Sequence, residues 1–238
     1  MNPPPPTQAQ LLARLHADGF PTPSPEFLLS ILTPNPTTGR IPPLQALTAT
    51  AKHRILSTPL TPTLLSPSTP FLPATISSPT TQSHLLTHDT PVQILDILDI
   101  STPKWTQVTQ LEDIRKGSST SGRRVIQLPT PPSEDSTQQT QTQTQTQVRS
   151  RGTYKLQLVD VKGTQISAFE LQPIPKLDVP PGMGIGCKVM LKKGTRVARG
   201  VVLLEVGKTV VLGGRVEVLG KAWREGLEGR LREGLGDV

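Results

Sequence analysis

Cysteine occurs once, at Cys187, in a chain of 238 residues. That excludes an internal disulfide framework and any Cys-based zinc cluster. Histidines number four and are scattered, so no metal site is expected. Long apolar runs are also missing. The longest hold four or five residues, against the roughly 20 that a bilayer-spanning helix needs. The opening MNPPPP has neither a basic n-region nor an apolar h-region, so no secretory signal is expected. A soluble intracellular protein without membrane contact is the simplest expectation. Aromatic residues make up only 3% of the chain and hydrophobic residues 34%. Glycine (19) and proline (26) together reach about 19%, against a usual sum near 12%. Small folded units separated by long loops are therefore expected, not one dense core.

What is present is basic, and unevenly so. The formal net charge is +7. Residues 1–100 carry four basic and five acidic side chains, residues 101–152 seven and four, and residues 153–238 fourteen and nine. A basic C-terminal half suits a nucleic-acid or acidic partner, and equally a plain solvated surface.

Composition also divides the chain. Residues 1–6 are Pro-rich and expected to lack order. Residues 57–91 hold seven prolines among many Ser and Thr, which reads as an extended linker. A second break spans 116–151, with GSSTSGRR, LPTPPSEDS and the alternating tract Gln139–Gln147. Such sequence buries too little apolar surface to offset the entropy of ordering it. The island Val125-Ile126-Gln127-Leu128 within it reads either as a docking element or as a chance apolar cluster.

The expected organisation is a helical domain at 1–58, a Pro/Ser/Thr-rich linker at 59–91, a β domain at 92–219 with an insertion at 104–152, and an amphipathic helix at 220–238. In the first piece, Leu11, Leu12 and Leu15 share a helical face, with Gly19 as a stop. Ser24 before Pro25 and Glu26 reads as an N-cap with proline at the first helical position. Phe27, Leu28, Ile31 and Leu32 form that second helix's stripe. Leu44, Leu47, Ala51 and Ile55 phase a third helix over 43–56. The stripe VQILDILDI (92–100) fits helix or strand. Residues 153–219 are strand-rich: TYKLQLVDV alternates, Lys162-Gly163 turns into QISAFELQPI, and CKVMLKKG, RVARGVVLLEVG and KTVVLGG follow the PPGMGIG loop. Trp223, Leu227 and Leu231, spaced by four, mark the last helix. The fold class expected is a small N-terminal three-helix domain plus an all-β OB-fold barrel, with a long insertion between its first two strands and a C-terminal helix.

Several segments then resemble one known family in order. They are Val92–Ile100 with Ser101-Thr102-Pro103-Lys104-Trp105; YKLQLVD at Tyr154–Asp160; Glu170–Pro175; Pro180-Pro181-Gly182; Gly186–Val189; Gly200–Leu204; and Val211–Glu217. Spread in sequence over about 125 residues, they are similar to the RecQ-mediated genome instability protein 1 family. The helical piece resembles that family's helical domain more loosely. The resemblance implies a non-enzymatic subunit working with a RecQ-type helicase and a type IA topoisomerase III in the nucleus. Together they serve DNA replication, recombination and repair, dissolving double Holliday junctions. The barrel insertion would engage the topoisomerase gate and favour its open state. Because the chain stops at Val238, after the first barrel and its helix, it resembles the short, fungal-type form.

No catalytic motif competes: there is no GxSxG, Walker A loop or HExxH. Asp96 and Asp99, three apart in a strand, would face opposite ways, and solvent-exposed positions are expected for both. Gly182–Gly186 neither follows a clear strand nor opens a helix, so it is no nucleotide loop. Lone Tyr154 reads as barrel core. Topoisomerase docking is expected at Pro103, Lys104, Trp105, Leu111, Ile114 and Lys116, with Val125, Ile126 and Leu128 in the insertion. Trp105 anchors that interface or caps the open barrel end. Lys188, Lys192, Lys193, Arg196 and Arg199 are candidate phosphate contacts around one hairpin, giving weak DNA binding; a solvated hairpin facing acidic protein is the other reading. Between 153 and 219 the only aromatics are Tyr154 and Phe169, too few for a stacking single-strand grip. A stand-alone single-stranded-DNA-binding OB protein is the alternative function. No cofactor is expected.

Overall fold

The computed structural model describes residues 7–33, 41–115, 152–233 and 235. The N-terminal tail, the Gln139–Gln147 tract and the Val125–Leu128 island lie outside them.

Three helices open the fold as their caps dictate. In α1 (Gln8–Ala17), the Thr7 hydroxyl accepts the Gln10 N–H while Gln10 reaches back to the Thr7 N–H, closing a capping box. Helix α2 (Pro25–Leu32) starts from Ser24, whose hydroxyl accepts the Phe27 N–H at 3.2 Å. Helix α3 (Leu44–Ser57) follows Pro43. Leu11, Leu15, Leu28, Ile31, Leu47, Ala51 and Ile55 meet in one core, as their spacing predicts.

The segment at 59–91 is not the extended linker its prolines suggest. Leu60, Leu64 and Leu65 enter the helical core, while Leu72, Ile76 and Leu86 enter the barrel core. Burying each such side chain contributes about 1.5–3 kcal/mol, which offsets ordering a segment already stiffened by proline. Buried side chains take up its backbone donors. Gln93 Oε1 accepts the Leu60 N–H at 2.8 Å, and Asp160 Oδ2 accepts the Leu72 N–H at 2.9 Å. The segment also forms a 3-10 turn at Ala74–Ser77 and the short strand β1 (His84–Leu85).

The barrel begins with β2 (Thr90–Asp99), so the ambiguous VQILDILDI stripe is a strand. After the insertion come β3 (Tyr154–Asp160), β4 (Gln165–Glu170), β5 (Lys188–Leu191), β6 (Arg196–Ala198), β7 (Val201–Leu204) and β8 (Thr209–Gly213). The sheet order is β1-β6-β7-β4-β3-β2-β5-β8. The Lys192–Thr195 turn joins β5 to β6, and the Glu205–Lys208 turn joins β7 to β8. The parallel β4–β7 pair and the antiparallel β2–β5 pair therefore curl the sheet round on itself, an OB-fold barrel. Tyr154, Leu156, Leu158 and Asp160 alternate inward on β3. The terminal helix α5 runs from Glu217 to Glu233, three residues earlier than its apolar spacing suggests, and buries Trp223 and Leu231.

Candidate functional site

The insertion does not leave the barrel as featureless chain. Its first twelve residues form a helix, α4 (Lys104–Arg115). Asp99 builds the corner that launches it. Its carboxylate accepts the Ser101 N–H at 2.9 Å, the Ser101 hydroxyl at 2.6 Å and the Thr102 hydroxyl at 2.9 Å. Gln107 Nε2 then donates to the Asp99 and Thr102 carbonyls, both at 2.8 Å. The signal for this helix was present in the sequence: Pro103 at its start, then Val108, Leu111 and Arg115 at three- and four-residue spacing.

Helix α4 packs on α5. Arg115 pairs with Glu228, and Arg232 Nη2 bridges Glu112 at 2.7 Å and Glu228 at 2.7 Å. The hydrogen bond from Arg115 holds the Glu228 carboxyl below its ordinary pKa. Helix α5 is in turn fastened to the barrel wall. Trp223 Nε1 donates to Asp96 Oδ1 at 2.6 Å, and the Arg230 guanidinium lies 3.5 Å from Asp96 Oδ2. Asp96 and Asp99 are thus not the free, solvated carboxylates expected of them; each organises one part of the insertion base. Sequence reading missed both, because their partners lie on the last helix and beyond the strand end.

The docking residues are only partly brought together. Trp105 is 62% exposed on the first turn of α4; it does not cap the barrel end. Ile100, 45% exposed, lies just before the corner. Pro103 is exposed, Lys104 and Leu111 are half-buried, and Ile114 is exposed. Nine residues at 100° each put Ile114 about 180° round the helix from Trp105, so these two do not share one face. Lys116, Val125, Ile126 and Leu128 lie outside the described residues.

The basic cluster is reduced further. Lys188 is only 2% exposed. Its Nζ donates to the Gly186 carbonyl at 2.9 Å and the Leu56 carbonyl at 3.4 Å, because β5 runs through the interior beside the end of α3. It is a structural residue, out of reach of a phosphate. Lys192 Nζ lies 2.9 Å from Asp89 Oδ2, and that hydrogen bond keeps the Asp89 carboxyl below its usual pKa. Lys193, Arg196 and Arg199 are exposed, but they sit at two turns on opposite ends of β6. Tyr154 is core, its hydroxyl donating to Asp178 Oδ1 at 2.8 Å. Among the described residues no group of three or more His, Cys, Asp or Glu side chains is placed to hold a metal. No helix among them is long and apolar enough to cross a membrane.

No curated protein matches the chain. A family model described as "RMI1, N-terminal OB-fold domain" matches residues 72–227, from the segment entering the barrel core to well inside α5. With the barrel, the insertion point and most of the terminal helix inside that span, the chain belongs to the RMI1 N-terminal OB-fold domain family, whose members act as non-catalytic accessory proteins in genome maintenance.

Proposed function

We propose that this protein is the accessory subunit of a RecQ-type helicase–topoisomerase III complex in the nucleus. It binds the type IA topoisomerase through the insertion base, and residues 116–151 reach the enzyme's gate and favour its open state. That action promotes decatenation and the dissolution of double Holliday junctions. One observation carries the reading: a tryptophan, 62% exposed, stands on a helix pinned at both ends where the insertion leaves the barrel. Exposed, rigidly presented tryptophans are over-represented among the residues that dominate interface energies. Intrinsic DNA binding is weak in this reading, since one of five candidate phosphate contacts is buried and another is neutralised by Asp89.

The test is binding and stimulation of a purified type IA topoisomerase III. Trp105→Ala should weaken binding by about 2 kcal/mol or more, roughly thirtyfold in Kd. Deleting residues 116–150 should retain much of the binding and abolish stimulation. Full binding and stimulation by both variants would refute the assignment.

A further inference from the structure

Eleven Ser or Thr residues of this chain stand immediately before a proline, the dipeptide that proline-directed protein kinases modify. Tertiary structure separates them. Ser24, Thr69 and Thr90 are buried. The Thr102 hydroxyl donates to the Asp99 carboxylate. Thr58 closes α3, where the negative end of the helix dipole opposes a phosphate. Ser78 differs from these. It lies in the loop between the 3-10 turn and β1. Its backbone is extended, at φ −71° and ψ 128°, as the following proline favours, and protein kinases take their substrates as extended chain. Ser78 is half-buried, while Pro79 and Thr80 are exposed. Residues 74–83 hold no charged side chain, so no carboxylate within the segment opposes a phosphate there.

A cation is already seated beside it. The tip of the β6–β7 hairpin, Arg199-Gly200, lies on residues 77–81. The Arg199 N–H donates to the Thr81 carbonyl at 3.0 Å. A Cβ on Gly200 would lie 2.4 Å from the Ser77 carbonyl oxygen and 3.5 Å from the Ser78 carbonyl carbon. Arg199 holds a left-handed backbone, φ +48°, uncommon for such a side chain. It is exposed and takes part in none of the ion pairs among the described residues. Thr80 supplies two more polar groups. Its N–H donates to Ser78 Oγ at 3.4 Å, and its hydroxyl lies 2.7 Å from the same atom.

We propose that Ser78 is the substrate of a proline-directed kinase and that Arg199 receives the phosphate. The kinase transfers the γ-phosphoryl group of ATP. A bond forms between Ser78 Oγ and phosphorus, the bond to the β-phosphate oxygen breaks, ADP leaves, and the hydroxyl proton passes to the base of the kinase. The phosphate, about −1.5 to −2 in charge at pH 7, pairs with the Arg199 guanidinium in a charge-assisted hydrogen bond and accepts from Thr80. Residues 77–83 are thereby tied to the hairpin tip, and Arg199 is withdrawn from any outside anion, nucleic-acid phosphate included. No residue of the insertion base takes part, so this site stands or falls separately from the topoisomerase contact.

The experiment incubates the full chain with a purified proline-directed kinase and ATP, and locates the phosphate by fragmentation mass spectrometry. Ser78 should be modified at least tenfold faster in the wild type than in Pro79→Ala. Phosphoserine placed at position 78 during synthesis then isolates the effect of this one group. Amide hydrogen exchange over residues 78–83 should slow at least fivefold relative to the unmodified chain. Most of that slowing should be lost in Arg199→Asn, since asparagine tolerates the left-handed backbone and keeps the N–H bond to Thr81. Absence of phosphate at Ser78, or a rate indifferent to Pro79→Ala, overturns the site. Exchange unchanged by the phosphate, or slowed equally in Arg199→Asn, overturns the pairing.

Discussion

Lys188 illustrates how a side chain of solvent-seeking type becomes a structural pin. Its ammonium sits on the Leu56 carbonyl, one of the last in α3, where unpaired carbonyls and the helix dipole favour a cation. Burial pushes its pKa down from 10.5 to about 8. The unfolded chain therefore holds more protons than the folded one between those values, and stability rises with pH there. Burial pushes Cys187 the other way, from 9.0 to about 11, and Tyr154, buried and bonded to Asp178, from 10.0 to about 12. What those two contribute is complete below 9.0 and 10.0 and is lost as pH rises through their folded values. Between pH 8 and 9 Lys188 gives the larger change, opposed in part by Cys187 as its unfolded thiol begins to ionise near 9.0. Urea unfolding should show up to about 1 kcal/mol more stability at pH 9 than at pH 8, and Lys188→Met should remove that rise. An unchanged slope in the variant would show that Lys188 is not the titrating group.

At the scale of elements, α4 and α5 pack on each other, and Asp96 supplies the polar tie of α5 to the barrel wall. Surface ion pairs such as Arg115–Glu228 contribute little singly. Asp96 is different, because it accepts the Trp223 indole N–H and lies beside Arg230. Asp96→Ala leaves the Trp223 donor unpaired at the barrel wall, at a cost of about 1–3 kcal/mol. The prediction is a lower denaturation midpoint together with faster amide hydrogen exchange in α4, which Asp96 does not touch. Protection of α4 equal to wild type would show that α4 holds its place without the α5 anchor. The α4 helix was legible in the spacing of Val108, Leu111 and Arg115. The polar run after it hid the signal, since composition averages over a window in which twelve ordered residues are outnumbered.

At the scale of the molecule, the helical piece and the barrel are joined rather than tethered. Gln93 and Asp160 of the barrel hold the backbone of residues 60 and 72. Val161 packs in the helical core. Gly214, at φ +91°, brings the end of β8 so close to α3 that a Cβ would lie 2.4 Å from the Leu56 carbonyl oxygen. Gly214→Ala should therefore destabilise the whole by more than the roughly 1 kcal/mol of an ordinary glycine substitution. Both pieces should unfold in one calorimetric transition, with equal calorimetric and van't Hoff enthalpies. Two resolved transitions in the wild type would contradict this joint.

Local sequence determined much of this protein by itself. The cap at Ser24, helical stripes in α1 to α3 and alternation in β3 are read within a few residues, because they depend on neighbours in the chain. The ordered segments along the barrel carried the family, which the match over 72–227 bears out. Tertiary structure alone decided the rest. It buried Lys188, drew the proline-rich 59–91 segment into two cores, and gave Asp96 its tryptophan 127 residues away. Each depends on contacts between residues far apart in sequence, where burial and an available partner outweigh what a residue's type predicts.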